Sequence, residues 1–143
     1  MKPYVSVELQ RRVRQRFADC CAYCHTAEDL TATTFEFEHI VPIALGGETT
    51  LVNLCLACPM CNRYKSDQVL VPDAVTQTDV PLFHPHQDRW ADHFAWNESS
   101  TEIIGLTAIG RATITALRMN RSQMIRVRQM WVAMHQHPPT FAD

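Results

Sequence analysis

Two short clusters of cysteine are the side chains of this sequence best suited to chemistry. They contain all six cysteines of the 143-residue chain: Cys20, Cys21, Cys24, Cys55, Cys58 and Cys61. A disulfide-stapled secreted scaffold spreads its cysteines along a smaller chain and reaches roughly 8–10% cysteine, above the content here. We therefore interpret the clusters as two halves of one metal site.

Four of the cysteines form two CxxC pairs. Cys21 and Cys24 are one pair, Cys58 and Cys61 are the other, and 33 residues separate the pairs. Two such pairs supply four thiolates, the ligand set that Zn²⁺ takes in closed tetrahedral sites. The pattern predicts a structural zinc that joins two distant segments. The alternative, a redox dithiol with buried free cysteines, lacks the βαβ pattern that would support it.

The register of the second pair is open to another interpretation, because Cys55 also lies three residues before Cys58. We favour the later pair because it straddles Pro59, a residue suited to the first turn of a helix. Cys20 and Cys55 are then expected to be buried free thiols, the usual environment of a free cysteine. His25 is an alternative fourth ligand.

A second candidate site lies between the two cysteine pairs. Glu38 and His39 are adjacent, and Asn62 follows the last cysteine, with Arg63 and Lys65 just beyond it. Carboxylate and amide oxygens suit a hard cation such as Mg²⁺, and an imidazole can deprotonate water near neutral pH. Together these groups could carry out metal-assisted phosphodiester hydrolysis.

The spacing of Glu38 and His39 argues partly against a shared site. Neighbouring residues point to opposite faces of a straight strand. Both side chains could serve one site if the strand bends or bulges there, which the following Pro42 and Gly46-Gly47 would permit. A Glu-His pair at the end of a surface strand is the simpler alternative.

The elements around these residues predict an α+β fold. Alternating phenylalanine and glutamate predicts a strand over 31–38, and 51–56 resembles a second strand. Pro59 begins a helix through about residue 65. Ser6 is suited to cap a helix over 7–19, whose apolar residues recur every four positions.

The rest of the chain predicts a single domain over residues 1–143, with its core at about 20–66. Proline, aspartate and threonine over about 67–100 suggest an irregular connector, which Trp90 and Trp96 would anchor on the core. A short strand and helices are expected over about 101–137.

Composition limits the function classes. The formal net charge is −2, but residues 1–20 and 111–143 carry +3 and +4, whereas 21–62 and 63–110 carry −5 and −4. The arginines at 11–16 and 118–128 are thus candidate phosphate contacts. An apolar run of the roughly 18–20 residues needed to cross a membrane is missing, as is a signal peptide. We expect a cytoplasmic protein without a membrane partner.

The order of motifs over residues 20–66 resembles the HNH endonucleases. The chain has CxxC, then Glu-His-Ile-Val-Pro, Gly-Gly, Asn-Leu, a second CxxC, and finally Asn and Lys. The resemblance implies a ββα-metal core, made of a two-stranded hairpin and a helix. It also implies a four-cysteine zinc site, with N- and C-terminal helices outside the core.

The resemblance also implies roles for individual residues. His39 matches the general base for the attacking water, and Glu38 matches a carboxylate that binds the catalytic metal. Asn53 matches the middle residue, which helps to hold hairpin and helix in register. Asn62 stands where many members have histidine, so the chain would be an HNN variant with Asn62 as a metal ligand.

The implied activity is an endonuclease that hydrolyses DNA with Mg²⁺ or Mn²⁺, and with structural Zn²⁺. Arg63 and Lys65 would contact the nucleic acid near the scissile phosphate. The alternatives are a non-catalytic zinc-stabilised nucleic-acid-binding module and a nuclease that acts mainly on RNA. A homodimer or an unknown protein partner also fits a double-strand cut with one site per chain.

Overall fold

A computed structural model of the chain describes residues 3–140. This part of the chain has five α-helices and six strands, paired as three antiparallel hairpins. In chain order the elements are α1 (Val7–Arg16), β1 (Glu36–His39), β2 (Leu54–Ala57), α2 (Pro59–Lys65), β3 (Leu70–Asp73), β4 (Thr78–Pro81), α3 (Trp90–His93), β5 (Phe94–Trp96), β6 (Ile103–Gly105), α4 (Ala108–Ala116) and α5 (Ser122–Ala133).

The predicted hairpin and helix form the centre of the α+β fold. Strands β1 and β2 pair without interruption from Glu36 opposite Ala57 to His39 opposite Leu54. Every residue of β2 is buried, which accounts for its uniformly apolar sequence. Helix α2 follows at once, with Pro59 in its first turn as expected. The ββα arrangement is confirmed.

The first strand is shorter than the 31–38 predicted from sequence. Thr31 instead turns the chain, because its hydroxyl donates to the Glu28 carbonyl 3.0 Å away. The Glu28 carboxylate accepts from the Phe35 backbone N–H at 2.7 Å, so that group is not available for strand pairing. The predicted strand over 51–56 likewise begins only at Leu54, after a 3-10 turn.

The interpretation of 67–100 as an irregular connector was wrong. Strands β3 and β4 form a regular hairpin there, closed by Asp73, whose carboxylate accepts from the Thr76 backbone N–H. Proline lies in both strands, as Pro72 and Pro81, because a two-stranded hairpin has open edges where proline is tolerated. The expected anchor is present, since the Trp90 indole donates to the Tyr23 carbonyl at 2.8 Å.

The helices outside the core agree with the prediction, apart from their ends. Ser6 caps α1 by accepting from the Leu9 N–H at 3.1 Å, and the helix ends at Arg16. Thr107 caps α4 in the same way, through the Gly110 N–H. The described residues contain no helix long and apolar enough to cross a membrane.

Candidate functional site

The cysteine group, Cys21, Cys24, Cys58 and Cys61, comes together as the CxxC spacing predicts. All four side chains are buried, and their sulfur atoms lie within 4.8 Å of one another. The first two precede β1 in sequence, whereas Cys58 caps α2 and accepts from the Cys61 N–H at 3.4 Å. Two segments distant in sequence thus meet at one point.

The geometry of the cysteine group fits a tetrahedral metal. Zinc–sulfur bonds of about 2.3 Å place the sulfurs of a tetrahedral site about 3.8 Å apart. The Sγ atoms of Cys24 and Cys58 are separated by 3.8 Å. The pKa of Cys24 is lowered because neighbouring thiols, first that of Cys21, donate hydrogen bonds to its sulfur. The group can therefore hold a metal such as zinc.

The other sulfur and imidazole candidates lie outside the group. Cys20 is buried beside the Ala18 carbonyl, and burial raises the pKa of its thiol to about 11. Burial also raises the pKa of Cys55 to about 12. His25 instead stacks on Trp90, with ring centroids 4.1 Å apart. The preferred register of the second pair, Cys58 with Cys61, is therefore the one that the fold assembles.

A second site lies along the open edge of β1. We call it the cleft, a cavity of about 580 Å³ lined by Pro3, Tyr4, Val5, Gln10, Glu36, Phe37, Glu38, His39 and Asn62. Four consecutive residues of β1 line it, so the cavity follows the strand edge. This explains how adjacent Glu38 and His39 reach one site. The pairing of β1 with β2 is uninterrupted, so of the two alternatives, a bend or a bulge, the strand contains no bulge.

His39 is half-buried at the end of β1. Its Nε2 lies 3.0 Å from the Thr49 hydroxyl. Burial, and then the positive charge of Lys65, lower the pKa of the imidazole below its usual value. His39 is therefore held in the neutral form, which can accept a proton.

Glu38 pairs with Lys65 at the side of the cleft. The Lys65 ammonium lies 3.2 Å from a Glu38 carboxylate oxygen and also donates to the His39 carbonyl at 3.3 Å. Burial raises the pKa of Glu38, and the charge of Lys65 opposes that increase. Because the Lys65 side chain is 0% exposed, the expected phosphate contact is wrong in this arrangement. Lys65 positions Glu38 instead.

Asn62 faces a carboxylate that the sequence analysis did not single out. Its amide Nδ2 donates to the Glu36 carboxylate, so the Asn62 side-chain oxygen takes no part in that hydrogen bond. Glu36 and Glu38 are two residues apart on one strand and therefore share a face. That spacing was visible in the sequence as a signal for a second carboxylate in the cleft. Arg63 follows Asn62, and its side chain is exposed.

Asn53 fixes the loop between the two strands through its side-chain hydrogen bonds. Its carbonyl oxygen accepts from the Val41 N–H at 2.9 Å, and its amide donates to the carbonyls of Val41 and Glu48. Gly47 permits these hydrogen bonds, because a Cβ at position 47 would lie 1.8 Å from the Val41 carbonyl oxygen. Asn53 is therefore a positioning residue for the end of β1.

The predicted basic flanks are only partly free to bind phosphate. Arg14 pairs with Glu28 at 2.7 Å, and Arg11 pairs with Glu8 at 2.7 Å. Arg128 is 0% exposed, so it is not a surface contact and that part of the prediction is wrong.

One comparison with known proteins identifies the class of this domain. Residues 21–68 match the model of the HNH endonuclease family. The matched segment contains the cysteine group, the β1–β2 hairpin and α2, and the clustered cysteines are consistent with the HNH type that zinc braces. Neither the curated proteins nor the solved structures gave a significant match.

Proposed function

We propose that the protein is a metal-dependent endonuclease that hydrolyses phosphodiester bonds of DNA in the cleft. The observation that carries the proposal is the convergence of His39, Glu38 and Asn62 on one cavity within an HNH domain. A neutral imidazole, a carboxylate and an amide oxygen are the groups that such a reaction requires.

His39 takes the role of general base. Its low pKa leaves it neutral at physiological pH, so it can remove the proton from the attacking water. The hydrogen bond between His39 Nε2 and the Thr49 hydroxyl orients the ring, and Asn53 secures the chain that follows. These contacts support a fixed imidazole at the rim of the cleft.

Glu38 and the Asn62 carbonyl oxygen are the proposed ligands of Mg²⁺ or Mn²⁺. When bound, the cation would stabilise negative charge on the phosphate and the leaving oxygen. Mg²⁺ sites of this kind use one or two carboxylates together with substrate phosphate rather than a complete protein cage. Lys65 keeps Glu38 oriented, and the exposed Arg63 is the phosphate contact that we retain.

The cysteine group is proposed to bind structural Zn²⁺. Its role is to join the segment before β1 to the start of α2, so that both walls of the cleft keep their spacing. The closed and buried thiols leave no open position for a substrate, which supports a structural rather than a catalytic metal.

The second candidate is a zinc-stabilised module that binds nucleic acid without cleaving it. Such a module requires the cysteines but has no use for a neutral histidine beside two carboxylates. The convergence of His39, Glu38 and Asn62 on one cavity therefore favours the enzyme.

A plasmid assay tests the proposal. Zinc-loaded protein is incubated with supercoiled DNA with Mg²⁺, with Mn²⁺, or with neither, because EDTA would also remove zinc. We expect nicked or linear product only when Mg²⁺ or Mn²⁺ is added. An intact plasmid under all conditions, with the protein folded and bound to DNA, would favour the binding module. Matched RNA in the same assay tests the RNA alternative.

A further inference from the structure

Part of the lining of the cleft comes from the N-terminal segment. Pro3, Tyr4 and Val5 line it together with Glu38 and His39. An aromatic ring therefore borders the same cavity as the proposed catalytic groups.

This segment is anchored to the domain. Val5 packs against the hydrophobic core, and its carbonyl accepts from the Gln10 side chain at 3.0 Å. Ser6 then caps α1. Tyr4 is thus one residue from a fixed point, yet 80% of its surface is exposed. A large aromatic side chain left uncovered beside a polar cavity is available to a ligand.

We infer that Tyr4 stacks on an unpaired base next to the scissile phosphate, so that the preferred substrate is single-stranded nucleic acid. The inference rests on the proposed nuclease function. A base offers its face to an aromatic ring only where it has left its neighbours in the duplex. Stacking of this kind tolerates any sequence, because every base has an aromatic face.

Substitutions of Tyr4 with labelled oligonucleotides test this inference. Tyr4→Ala should weaken binding of a fluorescein-labelled single-stranded 20-mer about tenfold and slow its cleavage accordingly. Tyr4→Phe should behave as wild type, whereas Tyr4→Leu should behave as Tyr4→Ala because it lacks a stacking face. Val75→Ala, another exposed apolar residue outside the cleft, is the matched control.

The outcomes separate this inference from the proposed function. If wild type cleaves and Tyr4→Ala cleaves equally well, or if duplex is cut faster than single strands, the inference is wrong and the nuclease stands. If wild type cleaves nothing, the nuclease proposal fails, and the binding measurement without divalent metal still decides whether Tyr4 stacks.

A second and independent observation concerns buried positive charge. The described residues contain two fully buried cations, Lys65 and Arg128. Lys65 has the carboxylate of Glu38, but Arg128 has no carboxylate within ion-pair distance in this part of the chain. An isolated charge in the interior is strongly unfavourable unless an anion compensates it.

The hydrogen bonds of Arg128 involve neutral groups only. Its guanidinium donates to the carbonyls of Thr101 and Met119 and to the Asn120 side chain, and it lies over the Trp96 ring. Its Nε has no partner among the described atoms. These contacts orient the group but leave its charge uncompensated.

The missing negative charge is available in the cysteine group. Four thiolates around Zn²⁺ carry a net charge of −2, and residues 21–62 contain no lysine or arginine. Packed rings connect Arg128 to this group: it lies over Trp96, whose ring centroid is 5.8 Å from that of Trp90. The Trp90 indole in turn donates to the backbone carbonyl of Tyr23, the residue that precedes Cys24. Burial and Arg128 lower the pKa of His137 to about 4, so that residue is neutral and adds no charge.

We propose that Arg128 is the counter-charge of the zinc tetrathiolate, which couples the docking of α5 to metal binding. Arg128→Met should lower the affinity for zinc, measured by chelator competition on the full chain, by about 10- to 100-fold. Arg128→Lys keeps the positive charge, and its zinc affinity should decrease much less. Arg126→Met, an exposed arginine on the same helix, is the control and should match wild type.

A purely structural role of Arg128 predicts different results. Arg128→Met would then melt at a lower temperature while binding zinc as tightly as wild type, which would overturn the proposal. If Arg128→Met does not fold, the lysine variant decides. If Arg128→Lys binds zinc about as tightly as wild type, the role of Arg128 as counter-charge is supported. A loss of zinc affinity of 10-fold or more contradicts that role.

Discussion

The cysteine group and the cleft share helix α2 but differ in nearly every physical property. The four thiols are buried, contact one another and close around a point. The cleft lies along an open strand edge, and its proposed ligands bond to single neighbouring side chains, Glu38 to Lys65 and Asn62 to Glu36. A closed donor set holds a fold together, whereas an open one leaves room for substrate and water. The comparison teaches that adjacent residues of one helix can serve stability and chemistry separately.

Removal of the zinc should have the largest effect. Structural zinc contributes about 10–16 kcal/mol in zinc-finger peptides, which is comparable to the whole stability of a small domain. We therefore expect Cys58→Ser to abolish zinc binding and cooperative unfolding, as measured by metal analysis and thermal melting.

Cys20→Ser is the matched control, because this buried cysteine lies beside Cys21 but outside the group. It should retain zinc and melt close to wild type. Equal losses in both variants would mean that general packing, rather than the metal, accounts for the effect.

Substitution in the Glu38–Lys65 ion pair should reduce both stability and activity, although the pair borders the cleft. Glu38→Gln leaves a buried ammonium without its carboxylate, which costs about 3–5 kcal/mol. We expect a large decrease in the free energy of unfolding, in addition to lost activity. The double variant Glu38→Gln/Lys65→Met removes both charges and should recover part of that stability in urea titrations. No recovery would show that the pair does not interact as described.

Asn53 should affect both properties to a moderate degree. Asn53→Ala removes three hydrogen bonds between the side chain and the loop, and should destabilise the domain by about 1–3 kcal/mol and slow cleavage. Asn97→Ala removes similar bonds to Thr101 and Glu102 outside the cleft. We expect Asn97→Ala to lose the same amount of stability as Asn53→Ala but to keep normal cleavage activity. Equal activity of the two variants would remove the positioning role of Asn53.

The smallest of the expected effects is the shift in the pKa of His39 and, with it, in the pH dependence of cleavage. Burial and Lys65 lower its pKa, so the neutral base should persist below pH 6.5, the usual midpoint of histidine. Cleavage should therefore be retained on mild acidification, until the imidazole protonates. The midpoint can be measured by NMR titration of the zinc-loaded protein, with the resonance assigned from a His39 variant. A midpoint at or above 6.5 contradicts the described environment.

The features that could be predicted from sequence are those set by local spacing. The two CxxC pairs, the helix that begins at Pro59 and the cap at Ser6 all follow from short patterns. Their physical causes act within a few residues, so no knowledge of the folded chain is needed.

The features that could not be predicted depend on what the chain meets after folding. Lys65 looks like a solvated residue at a helix end, and only the packing of α2 on β1 buries it against Glu38. Arg128 likewise has the pattern of a surface arginine until α5 docks. The β3–β4 hairpin was missed because the effect of Pro72 depends on which strand edge it occupies.

The most direct test of the central claim is a comparison of wild type with His39→Ala. His39 is the best residue for it, because its side chain bonds to Thr49 and it is not one of the four clustered cysteines. Zinc content, melting temperature and Mg²⁺-dependent plasmid cleavage are measured on the same preparations. We expect His39→Ala to have the same zinc content and a similar melting temperature as wild type, with the rate of cleavage reduced about 100-fold or more. Undiminished cleavage by a folded, zinc-loaded His39→Ala protein would contradict the assignment of chemistry to the cleft.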